Sequence, residues 1–117
     1  MIKRIQPKAV PESSAPFSQV VVDDYYAFVS GLVAADFPEG LAVLGDVAGE
    51  TRAVLGKIRE ILAEIDLGMD RVVRVEVHLT DLDDFDAMDS TYLEFFDSGS
   101  YPARTTTEIN DYLVIAV

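Results

Sequence analysis

The chain has 117 residues, half of them hydrophobic, with 21 acidic against nine basic side chains and a formal net charge of −12. That length fits one domain, predicted over residues 1–117, and the hydrophobic content excludes a disordered chain. The charge argues against nonspecific nucleic-acid binding and against anionic lipid surfaces, since both would repel the protein.

The chain has no cysteine and a single histidine, His78. Disulfides, thiolate nucleophiles and histidine-rich metal sites are thereby excluded, and we expect no metal. No apolar run approaches the roughly 20 residues of a membrane helix. The N-terminal "MIKRIQPKAV" lacks the apolar core of a signal peptide. We therefore expect a cytoplasmic protein with neither membrane nor nucleic-acid partners.

The first third of the chain predicts a β-hairpin. Residues 5–17 contain three prolines and are predicted to be an extended lead-in. A short strand at 2–5 before it is an optional further element. Residues 18–22 read as a strand, 23–24 as a tight turn, and 25–34 as the returning strand.

A loop and a long helix follow. Residues 35–46 are predicted to be a loop because Pro38 and Gly40 break regular structure. Asp46 is a suitable N-cap for a helix over 47–66. Its apolar face is predicted from helical spacing: Val47, Thr51, Val54, Leu55, Ile58, Leu62 and Ile65.

The second half alternates strand and helix. Gly68 is predicted to end the long helix in a left-handed conformation, before a strand at 71–81. Residues 82–98 predict a second helix. Its buried stripe is Phe85, Met88, Tyr92, Phe95 and Phe96.

The chain closes with two further strands. Residues 103–109 and 112–117 are β-prone, and Asn110–Asp111 between them predicts a two-residue hairpin turn. The element order is ββαβαββ. Such an order predicts an α+β two-layer sandwich, with a mixed sheet of about six strands and two helices on one face.

The predicted sheet has a face that the helices do not cover. The runs "VVV" and "YYAFV" are nearly continuous in apolar residues, which is typical of strands buried on both faces. In so small a domain, the second face is most simply covered by another copy of the chain. We therefore expect an obligate homo-oligomer.

Arg104 is the residue most suited to a binding site. Alternation places Arg104, Thr106 and Glu108 on one face of their strand. A guanidinium binds a carboxylate through two parallel hydrogen bonds but cannot act as a general base. Arg104 is therefore an anion anchor or, alternatively, half of an ion pair between subunits. His78 shares a polar face with Arg74 and is predicted to be partly exposed or at an interface, with a pH-sensitive or catalytic role as the alternative.

Several short motifs together resemble one family. They are "APFSQ" (15–19), "SG" (30–31), "GD" (45–46), "ETRAVLGKIREIL" (50–62), "VVRVEVHLTDLDDF" (72–85), "YLEFF" (92–96) and "YPART" (101–105). In order and spacing they are similar to those of the reactive intermediate deaminase family, also called Rid or YjgF-type. Its older label is L-PSP endoribonuclease.

The resemblance implies a chorismate-mutase-like fold and a homotrimer with ligand sites in the clefts between subunits. It implies hydrolysis of 2-aminoacrylate-like enamines and imines to 2-keto acids and ammonia, without metal or cofactor. By the same resemblance Arg104 clamps the substrate carboxylate. Five other residues contribute to binding or to positioning water: Phe17, Ser30, Gly31, Asp89 and Thr106.

This chain also departs from the family pattern. Phe17 stands where many members have a tyrosine, and Thr106 stands where they have a cysteine or a similar residue. Asp89 takes the place of an asparagine that is common in the second helix. Leu113 aligns with a glutamate credited in the family with activating water, although Asp111 and Glu108 lie near it in sequence.

Two alternatives to a deaminase remain open from the sequence. One is a non-catalytic binder of small carboxylates or a structural trimer of the same fold, which Phe17 and a final hairpin shorter than is usual in the family would suit. The other is a ribonuclease, which the charge and the lone histidine oppose.

Overall fold

The computed structural model describes residues 1–110 and 114–116. The strands and helices follow in the order β1 (Lys3–Ile5), β2 (Val20–Val22), β3 (Ala27–Val29), α1 (Pro38–Leu41), α2 (Val47–Glu64), β4 (Arg74–Leu79), α3 (Phe85–Tyr92), β5 (Ala103–Glu108) and β6 (Val114–Ala116). Single 3₁₀ turns lie at Ala34–Asp36, Met69–Arg71, Leu82–Asp84 and Leu93–Phe95. The α+β class and the mixture of strand directions agree with the sequence.

The strands form two three-stranded sheets rather than one continuous sheet. One is antiparallel in the order β1-β2-β3, and it contains the predicted hairpin. The other has the order β5-β4-β6, with β4 parallel to β5 and antiparallel to β6. An isolated bridge between Leu32 and Ile115 joins them, so the predicted single sheet is interrupted at this point.

The predicted C-terminal hairpin is wrong. Strands β5 and β6 lie on opposite sides of β4 and pair with it instead of with each other. The turn signal at Asn110–Asp111 is local, and it cannot show whether a third strand lies between the two that it connects. Asp111 and Leu113 lie outside the described residues.

Helices α2 and α3 cover one face of the strands, as predicted. The core combines their apolar stripes with the inward side chains of both sheets; its fully buried members include Val20, Leu55, Ile58, Val77 and Met88. Each such side chain contributes roughly 1.5 to 3 kcal/mol when it leaves water. Asp46 is the N-cap residue of α2, although its side chain makes no capping hydrogen bond.

The predicted loop after β3 contains a short helix, α1. Pro38 occupies its first turn, where the missing N–H of proline costs nothing. Gly40 is required for packing, because an added Cβ would lie 2.0 Å from the Ala34 carbonyl oxygen. Pro38 and Gly40, which predicted a loop, instead begin a short helix and let it pack closely against Ala34. Phe37, just before it, is 1% exposed.

The predicted left-handed cap at Gly68 is also wrong. Gly68 has a φ of −109°, and the residue after α2 with a positive φ is Asp66, at 62°. Aspartate tolerates this region better than most residues, because its short side chain can bond locally to the backbone. The chain therefore turns two residues earlier than the glycine suggests.

The sheet face opposite the helices is open in the single chain. Tyr26 and Phe28 of the β3 region are 60% and 56% exposed, with their rings 6.4 Å apart. Strand β4 presents Arg74, Glu76 and His78 on the side opposite its buried valines. The apolar runs are thus buried on one face only within one chain.

Candidate functional site

Strand β5 places Arg104 on the helix-covered face. It is aligned with β4 so that Arg104 lies beside Val75 and Thr106 beside Val77. Directly aligned residues in neighbouring strands share a face. Because both valines are fully buried, the guanidinium is directed toward the helices, and its side chain is only 22% exposed.

Three side chains of helix α3 contact the Arg104 guanidinium. Nη1 of Arg104 lies 2.7 Å from Oδ1 of Asp89 in an ion pair, although the contact lacks the alignment of a good hydrogen bond. The guanidinium carbon lies 4.8 Å from the ring centre of Tyr92 and 5.4 Å from that of Phe85. Aromatic faces at these distances attract a cation, and together the contacts fix its position.

A cavity of about 440 Å³ opens beside this cluster. Its lining residues are Asp89, Tyr92, Leu93, Tyr101, Pro102 and Arg104. The volume suits a small molecule. Two residues that the sequence predicts for substrate binding, Asp89 and Arg104, are thus brought together in one cavity.

Tyr92 is a cavity residue that the sequence analysis placed only in the core. Its side chain is 5% exposed, and within the described part of the chain its hydroxyl has no hydrogen-bond partner. Burial raises the pKa of Tyr92; the nearby Arg104 opposes that rise and Asp89 adds to it. The i, i+3 spacing of Asp89 and Tyr92 on a helix was the signal that could have found it.

Thr106 and Glu108 continue the Arg104 face of β5. Thr106 is half-buried and lies two residues along the strand, outside the cavity lining. The carboxylate of Glu108 accepts a hydrogen bond of 2.9 Å from the Leu82 backbone N–H. Glu108 therefore anchors the turn before α3, which makes it a poor substitute for a water-activating carboxylate.

The remaining predicted site residues form a second group. The Ser30 hydroxyl donates to the Ser18 carbonyl at 2.6 Å, and the Ser30 N–H donates to Gln19 at 2.9 Å. These bonds join the residues next to Phe17 and Gly31 at the end of the β2–β3 hairpin, and Phe17 itself is 52% exposed.

The two groups are far apart within one chain. Leu32 pairs with Ile115, Ile115 with Val77, and Val77 with Thr106, so these four residues form one row across the strands. Three strand spacings amount to about 14 Å. The backbones of Leu32 and Thr106 are therefore separated by this distance, and Gly31 does not line the cavity that holds Arg104.

His78 lies on the opposite face from Arg104 and is partly exposed, and the sequence predicts this exposure. Its Nδ1 contacts the Thr107 hydroxyl, and its Nε2 lies 3.7 Å from a Glu76 carboxylate oxygen. The imidazole side chain is 26% exposed. It does not reach the cavity.

A larger cleft of about 510 Å³ lies between β3 and the start of β4. Its lining is mainly apolar, with Tyr26, Phe28 and Leu67 among its members, and it includes none of the predicted site residues. The convergent polar groups therefore favour the smaller cavity as the site. Among the described residues no group of acidic, histidine or cysteine side chains could hold a metal ion.

The acidic run at 81–89 serves the start of α3. The Asp81 carboxylate accepts a hydrogen bond of 2.9 Å from the Asp83 N–H and caps the 3₁₀ turn that leads into α3. None of the helices in the described ranges is long and apolar enough to cross a membrane.

Comparison with known proteins identifies the class. The family model described as endoribonuclease L-PSP matches residues 7–112. A RutC family protein of Pyrococcus abyssi is 36% identical over 100 residues, which cover 86% of this chain and 78% of the relative. The 2-iminobutanoate/2-iminopropanoate deaminase of Capra hircus is 34% identical over 110 residues, covering 93% and 80%.

Solved structures agree with the sequence relatives. The crystal structure of yeast Mmf1 superposes with a TM-score of 0.86 at 26% identity, covering 100% of this chain and 96% of that one. The chain belongs to the L-PSP, or Rid, family, which confirms the resemblance read from its motifs.

Proposed function

We propose that the protein hydrolyses small 2-imino acids to 2-keto acids and ammonia. Water adds to the C2 carbon of the protonated imine, the carbon–nitrogen bond then breaks, and the nitrogen leaves as ammonium. The 2-keto acid retains the carboxylate. The names of relatives such as the Capra hircus deaminase support this reaction class.

The single observation that carries the proposal is Arg104 at the wall of the 440 Å³ cavity. The guanidinium has five N–H donors, and the contact with Asp89 involves Nη1 alone. One edge of the guanidinium can therefore still bind a substrate carboxylate through two hydrogen bonds.

We further propose that each complete site lies between two copies in a homotrimer. Phe17, Ser30 and Gly31 would come from one copy, and Arg104 from the next. The separation of about 14 Å within one chain supports this arrangement. The open face with Tyr26 offers apolar surface for the contact.

Catalysis in such a site would rely on orientation more than on a strong base. The protonated imine is already electrophilic, so fixed dipoles and a positioned water accelerate its hydrolysis. Thr106 and the backbone at Gly31 are our candidates for holding that water. A general base typically adds about 10²- to 10⁴-fold, so without one we expect slower turnover than in a fully equipped member.

A turnover assay tests the proposal. A lyase or dehydratase generates the imine in situ, and keto-acid formation is followed with and without the protein. We expect acceleration by the wild type and far less by Arg104→Ala. Equal rates with wild type, variant and buffer would refute the enzyme.

Binding of pyruvate without acceleration would instead establish the non-catalytic alternative. The same protein incubated with RNA should leave it intact, because the net charge of −12 repels the substrate.

A further inference from the structure

The cavity pairs its cation with an anion. Asp89 lies 2.7 Å from Arg104, and its Oδ1 is buried. A site that bound only a carboxylate would gain from leaving the guanidinium uncompensated. Here an incoming anion meets a pair with no net charge, and it has to share Arg104 with a fixed carboxylate.

That pattern of charge matches the proposed substrate better than the product. A protonated 2-imino acid has a positive nitrogen and a negative carboxylate on adjacent carbons. The 2-keto acid keeps only the negative charge. Opposite charges in matched positions stabilise a complex, while like charges placed together penalise it.

We propose that Asp89 is a specificity-determining residue that makes the site select the zwitterionic 2-iminio acid over the 2-keto acid anion. This inference rests on the proposed function. The ligand carboxylate takes the free edge of Arg104, and the iminium N–H groups donate to the outer oxygen of Asp89.

Tyr92 supplies a further contact. Its hydroxyl is buried at the cavity wall, and among the described residues it makes no well-aligned hydrogen bond. Arg104 lies close to it but can only donate, so the hydroxyl proton has no acceptor there. An unpaired buried hydroxyl is costly, and a ligand that satisfies it gains affinity. We assign this hydroxyl as a donor to the ligand carboxylate, beside the guanidinium whose carbon lies 4.8 Å from the ring.

The arrangement also favours release of the product. When the nitrogen leaves as ammonium, the ligand loses the charge that faces Asp89. The keto oxygen that replaces it can only accept hydrogen bonds, as can the ionised Asp89 carboxylate. Product binding is therefore weaker than substrate binding at the same residue.

Ligand-observed NMR titrations test the selectivity without turnover. Alanine represents the zwitterion and pyruvate the anion, since the two share a carbon skeleton. We expect the wild type to prefer alanine. In Asp89→Asn, which keeps the side-chain size, we expect the ratio of alanine to pyruvate affinity to fall by about tenfold or more. Asp86→Asn, an exposed position one turn earlier on α3, removes the same charge and should leave the ratio unchanged.

Tyr92→Phe provides a second measurement. Because its hydroxyl is assigned to the carboxylate, both ligands should weaken by a similar factor while their ratio stays constant. An unchanged ratio in Asp89→Asn, or a wild type that prefers pyruvate, overturns the inference even where turnover is intact. Selection of alanine that depends on Asp89, without turnover, upholds the inference and refutes the enzyme instead.

Discussion

Two arginines on neighbouring strands have different surroundings. Arg104 on β5 lies under α3, ion-paired to Asp89 and between two aromatic rings, with 22% of its side chain exposed. Arg74 on β4 lies on the open face at 52% exposure, where it donates to the Thr105 hydroxyl at 2.8 Å and lies 3.4 Å from Glu76.

The difference follows from strand alternation alone. Arg74 pairs with Ala103, the residue before Arg104, so the two guanidinium groups leave the sheet on opposite faces. One meets the helices and a cavity, where the lower dielectric strengthens charge interactions. The other meets solvent or a second copy. We therefore propose that the same residue type binds a ligand on one face and lies at an assembly surface on the other.

The largest expected effect separates these two roles. Arg104→Ala should lower kcat/KM by about 10²-fold or more, because it removes the charged partner of the substrate carboxylate. Its oligomeric state should not change. Arg74→Ala should keep kcat/KM within about threefold when the assembled fraction is assayed. Steady-state kinetics with sedimentation velocity check both, and comparable losses in the two variants would refute the division between the faces.

The second prediction tests whether the open sheet face forms the contact between copies. Phe28→Asp places a charge on an apolar side chain that is 56% exposed in one chain, and it should convert the assembly to monomers. Leu44→Asp is a matched control at 54% exposure, away from that face. Light scattering that showed an intact assembly for Phe28→Asp, or equal dissociation in both variants, would contradict the assigned surface.

Lys57 can be compared with Arg104, because it is a buried cation that lines neither of the two cavities described above. Its side chain is 7% exposed; Nζ lies 2.8 Å from Glu60 and 3.4 Å from Glu39, and 5.1 Å from the Phe37 ring centre. We expect Lys57→Ala to cost about 1 to 3 kcal/mol of unfolding free energy through lost packing and pairing.

Arg52→Ala is the control for Lys57. Arg52 pairs with Glu94 at 2.9 Å, but both side chains are about half exposed, so its loss should cost no more than about 0.5 kcal/mol. Urea unfolding of both variants, together with turnover, measures the contrast. A catalytic loss in Lys57→Ala at full stability would show that Lys57 has a role in the site.

The smallest effect concerns alkaline pH. Burial raises the pKa of Tyr92 above its ordinary value of about 10. The pKa of Lys57 is also raised, since the pairs with Glu60 and Glu39 outweigh the lowering by burial. Both groups therefore stabilise the fold fully below pH 10 and lose that contribution as pH rises through their folded pKa values. Thermal melts between pH 9 and 11 should decline less in Tyr92→Phe, and an identical slope would contradict the shift at Tyr92.

The sequence revealed the parts of the fold that depend on local periodicity. Helix α2, the β4 alternation and the face of Arg104 follow directly from residue spacing. The insertion of β4 between β5 and β6 could not be predicted, because strand order depends on long-range packing. Lys57 was missed because lysine is almost never fully buried unless it is paired. Its i, i+3 pair with Glu60 also fits an exposed helix face, and its second partner, Glu39, lies 18 residues away.

The candidate site shows the same limit. Arg104 and Asp89 emerged as separate residues from motif resemblance, but their 2.7 Å contact depends on how α3 crosses β5. Tyr92 resembled any core aromatic, because sequence spacing carries no information on the environment of a hydroxyl.

Subunit mixing tests the central claim most directly. Arg104→Ala and Ser30→Ala are purified separately, then unfolded together and refolded as a mixture. If each site combines Arg104 of one copy with Ser30 of the next, random assembly of a ring restores about a quarter of the sites to wild-type composition. We predict deaminase activity approaching that fraction in the mixture and far less in either variant refolded alone. A mixture no more active than the average of its two components would contradict a site shared between copies.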